Sequence, residues 1–192
     1  MSTFTATITA SSDDADQASS TVDITGGALN ANATTQWSGF RFLNVTIPPG
    51  STVTASTLEL DFFSGSFDDP DLTIYAHDTD DAPTFTTTAN DISARTPTTA
   101  TVTWTASSIG TGIKTTPDLK TIIQEIIDRP GWTSGNDIAI LYVGRSASSF
   151  TRVRSLDAGT GAPAKLNITY TPGSGSSGQP PRTLHQFRQR RA

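Results

Sequence analysis

Apolar and polar residues alternate one by one in short runs along most of the chain. Near the N-terminus, the run TFTATIT places Phe4, Ala6 and Ile8 on one side and threonines on the other, the pattern of a strand with one buried face. Turn residues such as the Pro-Pro-Gly at 48–50 separate the runs. Further strands are predicted near residues 40–47, 57–63, 72–76, 100–105, 138–143, 150–156 and 164–171. About eight short strands predict an all-β fold, an antiparallel β-sandwich or jelly roll.

One segment, TPDLKTIIQEIIDRPG, departs from this alternation. Its apolar residues recur at spacings of three and four, which predicts one amphipathic helix of about three turns. Pro117, after a Thr116 cap, suits the first turn, and Pro130 with the following glycine ends the helix. The stripe consists of Leu119, Ile122, Ile123, Ile126 and Ile127. We expect this helix to close one open end of the sandwich.

The last twenty residues differ from the rest in composition. Residues 173–181 read GSGSSGQPP, which is typical of a flexible linker, and residues 182–192 read RTLHQFRQRRA, with four arginines and no acid. The chain has 13 Lys or Arg and 18 Asp or Glu, so residues 1–172 hold 13 − 4 = 9 bases against all 18 acids. The predicted organisation is a β-sandwich domain at 1–172, a linker at 173–181 and a basic anchoring peptide at 182–192. The linker and the peptide together form an extended C-terminal arm.

Composition narrows the classes of protein further. Ser and Thr number 55 of 192 residues, which is typical of β-rich surface proteins, and the absence of cysteine excludes disulfides. The N-terminal run MSTFTATITASS has neither a basic start nor an apolar stretch, so no secretory signal is predicted. No run approaches the roughly 20 apolar residues of a membrane span, so we expect no contact with a membrane.

A series of motifs resembles the DNRLRE-type β-sandwich modules of secreted and wall-anchored bacterial proteins. FRFLNVTIPPGSTVTASTLELDF is similar to their strand, Ile-Pro-x-Gly turn and Leu-x-Leu strand, and ATVTW to their Val-Thr-Trp strand. DLKTIIQEII resembles their single helix, NDIAILYVG the next strand, and APAKLNITYT the closing strand. The resemblance covers residues 37–171. It implies a jelly-roll-like fold, related to carbohydrate-binding modules, with a binding or adhesive role.

The inventory of reactive side chains argues against an enzyme. His77 is the only histidine before the arm, and no G-x-S-x-G nucleophile motif accompanies it. Neighbouring carboxylates are plentiful, but a glycosidase needs two of them at a defined separation across a cleft, and a sequence does not show that separation. We therefore expect no catalytic residues.

Acidic clusters are the candidates for metal binding. Calcium takes six to eight oxygen ligands, commonly from carboxylates at alternating positions of a loop. The alternative is that these aspartates form turns and carry solubilising charge. An N-terminal cluster comprises Asp13, Asp14 and Asp16, and calcium is considered at Asp68, Asp69 and Asp71 or at Asp78, Asp80 and Asp81. No other cofactor is expected.

Three tryptophans are candidates for stacking on a sugar ring. Trp104 shares a strand face with Val102 and is predicted to lie in the core. Trp37 and Trp132 are the candidate glycan contacts, although Trp132 could instead pack on the helix end.

The arm is the candidate anchor to a partner. Its apolar and basic side chains suit a groove on an acidic protein. Nucleic acid is not the expected partner, because the acidic body would repel the same polymer. The predicted anchoring residues are Arg182, Leu184, Phe187, Arg188, Arg190 and Arg191.

Together these features predict a structural protein of a bacteriophage virion. A module of adhesive type without signal peptide or cysteine suits a protein that is made in the host cytoplasm, released by lysis and functional at the virion surface. We expect a capsid decoration protein or a head or tail fibre component, present in several copies and bound to capsid or tail subunits through the arm. The alternative is a glycan-binding adhesion module that recognises a cell-surface polysaccharide of the host.

Overall fold

Two antiparallel β-sheets packed face to face form the body of the protein. The computed structural model describes residues 1–31, 33–63, 69–146 and 151–173. Sheet A contains β1 (Ser2–Thr7), β4 (Ala28–Ala31), β6 (Thr52–Phe62), β9 (Gly112–Thr115), β11 (Thr151–Arg154) and β12 (Lys165–Thr171). Sheet B contains β2 (Asp14–Ala18), β3 (Thr21–Asp23), β5 (Gln36–Phe42), β7 (Asp71–Ala76), β8 (Val102–Thr105) and β10 (Ile138–Gly144). The predicted antiparallel sandwich is confirmed.

The order of strands brings distant parts of the chain together. Sheet A runs β1-β12-β6-β11-β4, with β9 also paired to β6, and sheet B runs β3-β2-β5-β10-β7-β8. Two short 3-10 turns, Ser11–Asp13 and Leu156–Ala158, precede β2 and β12. The alternating pattern did not predict β2, β3, β4 or β9, and β2 lies in the acidic stretch after β1.

The main core lies between the two sheets. Its side chains come from the alternating positions of both inner faces and exclude solvent almost completely. Phe62 packs edge to face on Trp104 with ring centroids 5.7 Å apart, and the ring centroids of Phe40 and Tyr142 are 5.6 Å apart. Trp104 is therefore a core residue, as its strand position predicts.

Helix α1 (Lys120–Ile127) closes one side of the sandwich, between β6 and β7. Ile122, Ile123, Ile126 and Ile127 are buried, as their spacing predicts. The predicted cap is wrong: the Thr116 hydroxyl accepts the Leu58 N–H at 3.0 Å, and the helix begins at Lys120. No helix in the described parts of the chain is long and apolar enough to cross a membrane.

A second, smaller core covers the outer face of sheet B. Residues 77–98 fold over that face, and Phe85 and Ile92 pack on Ala139 and Leu141 of β10. Arg95 lies over the Phe85 ring, with its guanidinium carbon 4.2 Å from the ring centroid. The guanidinium also donates to the carbonyls of the neighbouring loop, at Pro83 and Thr84. The central part of sheet B is therefore covered on both faces.

The outer face of sheet A is polar. A chain of side-chain hydrogen bonds crosses three strands there: Thr5 donates to Asn167 at 3.3 Å, and Asn167 donates to Glu59 at 2.8 Å. Lys165 forms an ion pair with Glu59 at 3.1 Å. Lys165 and Asn167 thereby lower the pKa of Glu59. Polar pairs across strands thus replace apolar packing on this face.

Candidate functional site

The chain leaves the sandwich beside the turn that precedes β6. Gly173, the last described residue, lies after β12, and its N–H donates to the Ser51 hydroxyl at 3.4 Å. An added Cβ at Gly173 would overlap the Gly50 carbonyl oxygen, so the two backbones are in contact. The anchoring residues Arg182, Leu184, Phe187, Arg188, Arg190 and Arg191 lie outside the described residues, and anchoring stays a prediction.

An open groove runs beside the polar face of α1, next to this exit. Its volume is about 470 Å³. Gln124 connects the groove to the exit, because its amide donates to the Ser51 carbonyl at 3.1 Å and to the Asp128 carboxylate at 2.8 Å. Its carbonyl oxygen accepts the Val53 N–H at 2.7 Å. The lining side chains are Asp78, Thr121, Gln124, Glu125, Asp128 and Arg129.

Glu125 and Arg129 fix the walls of this groove. The two carboxylate oxygens of Glu125 accept the N–H groups of Thr99 and Ala100, each at 2.7 Å. Arg129 binds Asp80 through Nε at 2.7 Å and contacts Asp78 through Nη1. Of the four charged lining residues, three are acids and one is a base, so the groove is acidic.

The predicted calcium ligands are engaged by the protein itself. Asp78 and Asp80 face Arg129, and Asp81 accepts the Asp137 N–H at 2.8 Å. Among the described residues, no three His, Cys, Asp or Glu side chains converge on a point that could hold a metal ion. In this structure these aspartates form ion pairs and accept a backbone N–H, and calcium binding stays a prediction.

The other predicted calcium cluster is also dispersed. Asp71 pairs with Arg145 at 2.7 Å, and Asp69 accepts the Ser108 N–H. Asp68 lies outside the described residues.

In the N-terminal acidic cluster, Asp13 and Asp14 are buried and Asp16 is partly buried, and among the described residues only Asp13 forms an ion pair. Asp13 binds Arg41 at 2.7 Å, and the other end of that guanidinium binds Asp137 at 2.5 Å. Asp14 accepts the Leu156 N–H at 2.8 Å, and burial raises its pKa from 3.8 to about 7. Asp16 accepts the Asn30 N–H at 3.0 Å, and burial raises its pKa as well. These carboxylates connect the edges of the two sheets.

The two candidate sugar contacts, Trp37 and Trp132, differ in how deeply they are buried. Trp132 is only 2 % exposed and donates its indole N–H to the Ile47 carbonyl at 3.0 Å. Its ring is part of the core, so it cannot offer a face to a sugar, and the glycan assignment is wrong for this residue. Trp37 is half-buried at the edge of the smaller core. It remains a candidate.

His77 lies in the bridge between β7 and the covering segment. Its backbone pairs with Pro97, and burial together with the nearby Arg95 lowers its pKa to about 4. The imidazole is therefore neutral at pH 7.

The groove beside α1 has no distinctive signature in the sequence. Its residues occupy the polar positions between the apolar residues of the helix, a pattern that also describes any solvated helix face. Only the fold shows that Asp78 and the chain exit lie beside the polar face of α1. Comparison of the sequence with protein-family models and with curated proteins gives no match.

Proposed function

We propose that this chain is a non-enzymatic structural protein of a bacteriophage virion, a capsid decoration protein or a head or tail fibre component. The observation that carries the proposal is the contrast in charge between the body, with 18 acids, and the arm, with four arginines and no acid. The exit of the chain at the exposed Gly50 turn supports it, because residues that follow Gly173 start at the surface. The virion surface is the proposed location.

The proposed mechanism is mechanical. Each copy contributes a stable sandwich and a basic peptide that binds an acidic patch on a capsid or tail subunit. Charge-assisted hydrogen bonds from arginine suit such a patch, and many copies on one particle turn modest contacts into tight retention. The resemblance to DNRLRE-type modules supports an adhesive role for the body.

Particle incorporation tests the arm as anchor. Deleting residues 174–192, or replacing the four arm arginines with Gln, should lower incorporation into particles by at least about tenfold if the arm supplies most of the affinity. A matched control removes four positive charges from the body. Its substitutions are Lys114→Gln, Lys120→Gln, Arg145→Gln and Arg152→Gln.

The control should assemble at the normal level. Normal incorporation of both arm variants would refute the proposed anchor, and equal loss in the control would assign the effect to net charge.

Glycan binding is the second candidate function, and the partial exposure of Trp37 favours it. An aromatic face can stack on the C–H face of a sugar. On a glycan array, the wild-type protein should bind at least one polysaccharide. The Trp37→Ala variant should lose that binding. Absence of binding by the wild-type protein would remove this candidate.

A further inference from the structure

The acidic groove beside α1 is connected by hydrogen bonds to the point where the arm begins. A continuous hydrogen-bonded path leads from Gly173 through Ser51 to Gln124, which lines the groove. Eight residues lie between Gly173 and Arg182. Fully extended, they span about 30 Å, which is more than the length of α1. The arm can therefore reach the groove of its own chain.

The groove and the arm have complementary chemistry. Asp128 is exposed at the end of α1 and forms no ion pair among the described residues. Glu125 adds a second negative charge while accepting two backbone N–H groups, and the charge of Asp78 is shared with Arg129. The last turn of α1 contains no basic residue, and Arg129, which follows the C-cap, is bound to Asp78 and Asp80. The methylene groups of Gln124 and the methyl group of Thr121 are the apolar parts of the side chains that line the groove beside these charges. A peptide with arginines around Leu184 and Phe187 matches this surface.

Tethering favours the chain's own arm over the arm of another copy. A short linker gives the arm an effective concentration in the millimolar range at its own groove, well above that of free copies in dilute solution. We infer that in the free protein residues 182–192 dock in the groove beside α1 of the same chain. The arm then has to leave this groove before it binds a partner, so the body competes with the partner for the same arginines.

A paramagnetic label on the full chain tests this docking. The protein has no cysteine, so Ala192→Cys provides a single attachment site for a nitroxide. At low salt we expect selective broadening of backbone amide signals from α1 and from residues 78–80. The broadening should disappear near roughly 0.5 M salt, where the screening length falls to a few ångströms.

Charge reversal identifies the surface. Asp128→Lys should lower the docked-to-free ratio by roughly threefold to tenfold, since it replaces one attraction by one repulsion. Asp23→Lys is the matched control, because Asp23 is exposed on β3 at the opposite edge of sheet B. Replacing the four arm arginines with Gln should abolish the broadening in a protein whose spectrum is otherwise unchanged.

Three results would overturn the inference. The first is uniform broadening, or broadening on another face of the body. The second is an equal response to Asp128→Lys and Asp23→Lys. The third is broadening of isotope-labelled molecules by separate spin-labelled molecules alone, because that would place the arm on a second copy. Loss of particle incorporation in the arm variants does not depend on any of these outcomes, so the proposed function is tested separately.

Discussion

Asp14 is a carboxylate that is 1 % exposed, and within the described residues it forms no ion pair. Its hydrogen bond from Leu156 lowers the pKa, but burial raises the pKa more, and Asp157 and Asp13 add repulsion. Its neighbour Asp13 differs because Arg41 reaches it. At this scale, the sequence reveals a run of aspartates but not which of them meets an arginine, because that depends on strand register.

Asp14 should make the protein less stable as pH rises. Its folded pKa is about 7 and its ordinary value is 3.8. The folded state therefore binds the proton more tightly, and the stability from this group is complete below pH 3.8 and lost by about pH 7. Asp14→Asn should raise the free energy of unfolding at pH 8 by up to about 4 kcal/mol and have little effect at pH 4. Urea denaturation at both pH values measures this.

Asp128→Asn is the control, because it also removes one carboxylate charge but at an exposed position, where no comparable gain in stability at pH 8 is expected. Equal stability of Asp14→Asn and the wild-type protein at pH 8 would contradict the assigned pKa.

The covering segment 77–98 requires a glycine beneath it. A Cβ at Gly39 would lie 2.9 Å from Leu141 Cδ2 and would overlap the Phe85 ring. Gly39→Ala should therefore lower the free energy of unfolding by about 1–3 kcal/mol, the usual effect of overpacking. The double variant with Phe85→Ala tests the cause, because removing the ring should relieve most of the added cost of the alanine. Additive losses in chemical denaturation would contradict this packing.

Whole elements differ in how well their patterns predict them. β1 and β12 alternate strictly and were predicted, as was the part of β6 from Thr57 onward, and α1 was predicted from its isoleucines. β2 was missed because two of its residues, Asp14 and Asp16, turn carboxylates toward the other sheet and hide the apolar period. Residues 77–98 have no period at all, because their buried side chains, such as Phe85, are isolated and are held by Arg95 and turns.

Glu125 connects helix α1 to the segment that leads into β8 of sheet B. Its carboxylate accepts two backbone N–H groups, at Thr99 and Ala100, just before β8. Glu125→Gln turns an amide N–H₂ toward one of these donors and should lower the free energy of unfolding by about 1–3 kcal/mol. Unchanged stability of Glu125→Gln would show that these two hydrogen bonds contribute little.

On the scale of the whole molecule, both sheets, α1 and both cores lie within residues 1–173. The fold class was predictable at this scale because it needs only the number and period of the strands. The groove was not, because it joins Asp78, α1 and the chain exit, which are far apart in sequence.

A chain truncated after Gly173 should fold as the full chain does. At roughly 0.5 M salt its free energy of unfolding should match that of the full protein within about 0.5 kcal/mol, because charge attraction between arm and body is screened there. At low salt the full chain should be slightly more stable, since docking of the arm favours the folded state. Thermal or urea denaturation of both proteins at two salt concentrations checks this. A large loss at high salt would place part of the core beyond Gly173.

The polar ladder through Thr5, Asn167 and Glu59 lies on a broad side of the protein that contributes no side chain to either core. Side chains there point away from both cores, and sheet B has no comparable free side because residues 77–98 cover it. This surface could therefore accept new residues in register along three neighbouring strands. If many copies coat a particle, it offers a regular array on which foreign epitopes or binding groups could be displayed.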